Sequence, residues 1–162
     1  DAQRQAMSTD IAFMNPGGIR ADINPGDITW GEIYTVQPFN NDMVKMTMTG
    51  QQIRDVLNQQ WGAKTTMLQI SGFTYTWDEN APAGQKVVNI LLPDGTQIDH
   101  NKTYTVAANI FLSGGGDGFT DFTKAQNKEI GPVDLDVLVD FISAQPKPFT
   151  YEMDNRIQKV RY

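Results

Sequence analysis

Arg20 and Asp117 are charged residues set among glycines. Arg20 closes the turn Asn15-Pro16-Gly17-Gly18-Ile19-Arg20, and Asp117 lies inside Gly114-Gly115-Gly116-Asp117-Gly118-Phe119. Glycines bring a backbone close to a small polar molecule, and loops of this kind leave strand ends at binding sites. Two aromatic residues stand beside polar loops nearby, Phe39 before Asn40-Asn41 and Phe111 before Leu112-Ser113. Two such rings can sandwich a planar base, which is worth ~1–3 kcal/mol per stacked base. The pattern points to a ligand site for a polar molecule with a planar part.

Each of these residues also has a purely structural reading. Asp117 can cap its own backbone in a tight turn. Arg20 can pair with a surface carboxylate for about 0–1 kcal/mol. Phe39 and Phe111 can be core aromatics. Two other ligand readings fail on spacing. Phe119 stands where the third glycine of a dinucleotide fingerprint belongs, and a glycine-aspartate calcium loop requires tandem repeats, whereas this run occurs once.

Composition narrows the classes further. The chain has 162 residues, 40% of them hydrophobic, which suits one domain with a real core. Thirteen basic against nineteen acidic residues give a net charge of -6, a poor footprint for a nucleic acid polymer, which needs clustered Lys and Arg. There is no cysteine, hence no disulfide framework, thiolate metal site or cysteine nucleophile. The single histidine, His100, cannot supply the usual cluster of a catalytic zinc site. No apolar run is long enough to predict a transmembrane segment, and no signal-peptide pattern is present. The opening residues are helix formers without an initiator methionine, so the chain reads as a fragment of a longer polypeptide.

Periodicity then predicts the elements that must hold the two turns. A first helix ends near Thr9. The apolar run Ile11–Met14 reads as a buried strand that delivers Asn15 and Arg20 at its exit. Thr29 with Glu32 and Thr49 with Gln52 have capping-box spacing and open two helices, around a half-buried strand from Met43 to Thr49. Strands are expected at Met67–Ser71, Phe73–Trp77, Lys86–Leu92, Gln97–Ile98 and Thr103–Asn109, the last continuing through Ile110–Leu112 into the second glycine run. Pro132 is expected to head a helix with Val133, Val137, Leu138, Phe141 and Ile142 on its apolar face, and Arg156–Tyr162 to form a closing strand. This order predicts a single α+β domain, a mixed β-sheet with packed helices, over residues 1–162.

Read in order, Asn-x-Gly-Gly-Ile-Arg, Gly-Asp-Ile-Thr-Trp-Gly-Glu (26–32), Pro-Phe-x-Asn (38–41), Leu-Gln-Ile-Ser-Gly (68–72), Tyr-Thr-Val-Ala-x-Asn (104–109) and Phe-Leu-x-Gly-Gly-Gly-Asp-Gly-Phe resemble the C-terminal domain of the 5′-nucleotidase family. The resemblance implies a substrate-binding domain whose partner, an N-terminal metallophosphoesterase domain of the same polypeptide, holds two divalent metal ions and hydrolyses the phosphoester. It implies a nucleoside or nucleoside 5′-monophosphate as ligand. Phe39 and Phe111 would stack on the base, Asp117 would accept hydrogen bonds from ribose hydroxyls, Arg20 would reach the phosphate, and Asn15 and Asn41 would lie near base or sugar. Neither catalytic nor metal-ligating residues, and no cofactor, are expected in this chain, which alone would be inactive. Pro16 departs from the family's glycine at that position and removes an N–H from the turn.

The resemblance also implies an extracytoplasmic location: periplasmic, secreted or cell-wall attached. Alternatives on the same fold are a UDP-sugar hydrolase, a cyclic-nucleotide phosphodiesterase, an enzyme for a sulfur-bearing substrate, or a non-catalytic cell-surface binding module. Two stacking rings count against the sulfur substrate. Retention of both rings with Asp117 and Arg20 counts against a pure interaction module.

Overall fold

The computed structural model describes residues 1–162 and contains two sheets. In the larger, five strands lie in the order β3-β1-β6-β2-β7, with β1 at Ile11–Met14, β2 at Asp42–Thr49, β3 at Gln69–Ser71, β6 at Thr103–Asn109 and β7 at Gln126–Val133. The smaller has the order β5-β4-β8, with β4 at Thr74–Trp77, β5 at Val87–Leu91 and β8 at Ile157–Lys159. Five α-helices accompany them: α1 (Ala2–Met7), α2 (Trp30–Val36), α3 (Gly50–Asn58), α4 (Ile110–Ser113) and α5 (Asp134–Ala144). No helix is long and apolar enough to cross a membrane.

The period-2 alternation of the central strands sorts side chains into two layers. Ile11 and Phe13 of β1, Met46 and Met48 of β2, and Val106 and Ala108 of β6 join the main core with Ile53, Val56 and Leu57 of α3 and Phe73, Tyr75, Val87 and Ile90 from the small sheet's side. The intervening residues Ala12, Met43 and Ala107 face the other way and pack with Met7 of α1 and Val137 of α5. The large sheet is thus covered on one face by α3 and the small sheet, and on the other by α1 and α5. Ile33 of α2 packs against Leu135 and Ile142 of α5 in a third cluster.

Local chemistry accounts for the helix starts. Thr29 and Thr49 both form complete capping boxes, with Glu32 and Gln52 answering at the third position. The two ends of the chain are tied together: Arg156 forks onto the Asp1 carboxylate at 2.7 and 2.6 Å, and Ser71 and Tyr151 also bond to it.

Four expectations are corrected, and one strand is added to those the sequence predicts. Ile110–Leu112 does not prolong β6 but turns into α4, because Asn109 caps a helix there: its Oδ1 accepts Leu112 N–H at 2.8 Å. Residues 126–133 form β7, an edge strand paired antiparallel with β2. Its mostly exposed polar side chains hide the alternation that would have revealed it. Pro132 lies inside this strand and α5 begins at Asp134; an edge strand tolerates the missing N–H. Gln97 contributes only an isolated bridge to Leu91, and the closing strand is confined to Ile157–Lys159.

Candidate functional site

Strand directions explain why residues far apart in sequence meet. β1 and β6 are parallel neighbours, so both end at the same edge of the sheet, β1 at Met14 and β6 at Asn109. β2 runs antiparallel to β6 with Met43 opposite Asn109, so it begins at that edge. The Asn15–Arg20 turn, the Phe39–Asn41 loop and α4 with its glycine loop therefore all emerge side by side.

Asn15 is only 5% exposed and heads the 3₁₀ turn Pro16–Gly18. Its Nδ2 donates to Asp117 Oδ2 at 3.3 Å, joining the two glycine runs across 102 residues of sequence. A Cβ on Gly17 would stand 3.8 Å from both of these atoms, so that backbone lies directly beside the pair. Asp117 makes no bond to its own backbone. It holds a left-handed conformation (φ 56°) between Gly115 and Gly118, which are also at positive φ. Such a conformation is uncommon for a residue with a Cβ and is a mark of sites where surrounding structure fixes the chain.

Arg20 follows on the same turn. Its backbone N–H is held by Val36 C=O at 2.8 Å, which docks the turn onto the end of α2. The guanidinium makes one long contact, 3.5 Å to Gly17 C=O, and lies 6.0 Å from the centre of the Phe39 ring. No carboxylate lies within ion-pair distance of it. The surface ion pair that would have been its structural role is not formed, and most of its donors are available to an anion.

The two rings are not core residues: Phe39 is 54% and Phe111 46% exposed. Phe111 packs closely against Gly116, where a Cβ would come within 2.5–2.7 Å of three ring atoms. A glycine is required there for the ring to rest on the loop that carries Asp117. Phe39 precedes Asn40, itself at φ 50°, and the loop is anchored where Asn41 C=O accepts Asp134 N–H at 2.8 Å. Asn41 enters the site region through this backbone bond; its side chain makes none of the hydrogen bonds that join the others. At the far side of the glycine loop, Lys128 donates to Ser113 C=O at 2.8 Å, bracing the end of α4 against β7.

The structure thus brings Asn15 to Asp117, Arg20 to Phe39 and to the Gly17 backbone, and Phe111 to the Asp117 loop. Sequence reasoning overlooked Asn109 as a member of this group. It is fully buried, and its Nδ2 donates to Asn15 Oδ1 at 2.9 Å. The available signal was an Asn at the boundary of a strand and the apolar tripeptide Ile110–Leu112, the position of an N-cap. Asp134, behind the Asn41 loop, is also buried; burial pushes its carboxyl above the usual range against the pull of the Leu135 and Asn41 N–H groups, and its Oδ1 has no partner.

No group of three or more His, Asp or Glu residues is placed to hold a metal ion, and His100 lies exposed in a turn. The donor set at this sheet edge, one carboxylate with asparagine amides and a guanidinium, does not fit a dinuclear metal centre. A cavity of about 630 Å³ lies elsewhere: it is lined by Met14, Ile19, Gln37, Leu138, Phe141 and the segment from Tyr151 to Ile157, and contains none of the six residues above.

Known proteins share this fold. The family described as 5′-nucleotidase, C-terminal domain, matches residues 1–124. The chain is 37% identical to Endonuclease YhcR of Bacillus subtilis over 98% of its own length and 13% of that protein's. It is 37% identical to the cell wall protein Lmo0130 of Listeria monocytogenes over 89% of this chain and 20% of the relative. Among solved structures, a 5′-nucleotidase precursor from Thermus thermophilus superposes with a TM-score of 0.88 at 34% identity, over 98% of this chain and 33% of that one. The chain therefore spans a third or less of these relatives. With a family model matched over residues 1–124 and a fold shared along nearly its whole length, this chain is a member of the 5′-nucleotidase C-terminal domain family.

Proposed function

We propose that this chain binds the nucleoside of a nucleoside 5′-monophosphate for a metal-dependent phosphoesterase, and that an N-terminal metallophosphoesterase domain of the same polypeptide, holding two divalent metal ions, carries out the hydrolysis. The observation that carries the reading is the open group at the ends of β1, β2 and β6: two half-exposed rings, an exposed carboxylate and an arginine with no carboxylate partner. Rings that face solvent without a core to fill suit a planar base. An ionised carboxylate accepts hydrogen bonds only, which suits the hydroxyls of a ribose. A guanidinium grips a phosphate with two parallel charge-assisted bonds. Asn15 and Asn41 supply amides near the base and sugar.

On this reading the chain orients the substrate and does not cleave it, and its six site residues face a cleft between two domains. Trp30 and Tyr34, stacked at 5.4 Å on the exposed side of α2, form apolar surface of the kind a neighbouring domain covers. A location outside the cytoplasm, periplasmic, secreted or wall-attached, fits the cell wall protein among the relatives.

The test is a titration of the chain with adenosine and AMP, followed through the ring NMR signals of Phe39 and Phe111. Saturable shifts in the wild type, weakened about 5- to 150-fold in Phe111→Ala and in Phe39→Ala, are expected from the stacking energies. Absence of saturation at millimolar ligand in the chain and in the longer polypeptide would sink the reading.

A further inference from the structure

β6 ends on a side chain with two partners of opposite demand. Asn109 Oδ1 accepts the Leu112 N–H at 2.8 Å and so caps α4, the helix that carries Phe111. A backbone N–H can only donate, so this bond decides which end of the Asn109 amide faces the helix. Nδ2 is turned toward β1, where it passes Met14 Sδ at 3.5 Å and donates to Asn15 Oδ1 at 2.9 Å. Asn15 is oriented in its turn: with its oxygen taken as the acceptor, its Nδ2 reaches Asp117 Oδ2 at 3.3 Å. Three bonds run in one direction from the α4 backbone to the Asp117 carboxylate. Each asparagine has one donor end and one acceptor end, so a polarity set at α4 passes to the loop.

The relay is sheltered along most of its length. Asn109 is fully buried and Asn15 is 5% exposed, whereas Asp117 is exposed. Its outer end therefore meets solvent at the carboxylate alone, where Oδ2 is held by Asn15. Asp117 is also the residue held at positive φ, a conformation that needs external bonds to persist.

We propose that Asn109 is a positioning residue for the sugar half of the nucleoside site, acting through Asn15 to aim Asp117 at a vicinal diol while it caps the helix that presents Phe111. The proposal rests on the nucleoside reading above. It assigns to one buried asparagine the coupling between base stacking and sugar recognition, and it makes the preference for a diol depend on a residue that does not touch the ligand.

Two variants separate the relay from the cap. Asn109→Ser retains an acceptor for the Leu112 N–H and lacks the donor to Asn15. Asn109→Asp retains the cap and places an oxygen against Asn15 Oδ1, which forces the Asn15 amide to turn its own oxygen toward Asp117. Binding of adenosine, 2′,3′-dideoxyadenosine and adenine is measured by calorimetry for the wild type and both variants. The expected result is a loss of about 10-fold for adenosine, the scale of a hydrogen bond to a charged group, with dideoxyadenosine and adenine changed less than about 2-fold, so that the preference for the diol collapses. An unchanged ratio of adenosine to dideoxyadenosine affinity in both variants, or equal weakening of all three ligands, would overturn the proposal. A wild type that binds none of the three, both as this chain and within the longer polypeptide, sinks the nucleoside reading and the proposal with it. A wild type that prefers adenosine, with variants that keep the preference, sinks the relay alone.

Discussion

Arg20 is the residue whose environment is least explained by folding. Its backbone is pinned to α2, yet its guanidinium makes only a long bond to Gly17 C=O and stands over Phe39 at the outer limit of a cation–π contact. A side chain kept this free is available to an anion, and hydrogen bonds to charged groups are worth about 1.5–3 kcal/mol. Arg20→Ala is therefore expected to weaken AMP binding by roughly 10-fold or more while leaving adenosine within about 2-fold. Parallel titrations with the two ligands check this, and an equal effect on both would remove Arg20 from the phosphate end. Asn109 shows a different kind of residue-scale effect, because its contribution lies in the direction of its amide and not in any exposed atom.

Among the elements, β7 and the start of α5 brace the site from behind. β7 carries Lys128, which holds the end of α4, and leads into Asp134, whose N–H holds the Asn41 carbonyl. The Asp134 carboxyl is buried, with its pKa raised chiefly by loss of solvation. For an acid raised in the folded state, the native protein binds the proton more tightly than the unfolded chain does. Its contribution to stability is therefore complete at pH below the unfolded value and falls as pH rises from there through the folded value. Asp134→Asn should remove that loss. Thermal unfolding from pH 3.5 to 7 is expected to show the variant equal to or more stable than the wild type near neutrality, with its advantage shrinking toward low pH. A variant less stable at pH 7 than at pH 4, relative to wild type, would mean that the ionised carboxylate makes a net favourable contact at the α5 N-terminus.

At the scale of the whole molecule, the large sheet is the plate on which both the core and the site are mounted. Phe13 shows how they are joined: it makes edge contacts with Phe73 and Phe122 at 5.6 and 5.4 Å within the main core, two residues before Asn15. Phe13→Ala is expected to cost about 3–5 kcal/mol of stability by leaving a cavity between sheet, small sheet and the segment after the glycine loop. Chemical denaturation measures it, and a loss below about 1 kcal/mol would mean that the layers repack around the gap. The α+β class, β1, both capping boxes, the strand from Met43 and the candidacy of Phe39, Phe111, Arg20 and Asp117 were legible in the residues, because apolar periodicity, cap spacing and glycine turns are local properties. The edge strand β7 was not, since its exposed face carries no alternation, and neither was the helix after Asn109, since a short run of three apolar residues reads equally as strand or helix. The meeting of Asn15 with Asp117, the role of Asn109 between them and the placing of Asn41 against Asp134 depend on β1 and β6 lying parallel with β2 antiparallel beside them. That pairing is set by the burial of Ile11, Phe13, Val106 and Met46 in a common core, an interaction between segments remote in the chain that no local pattern encodes.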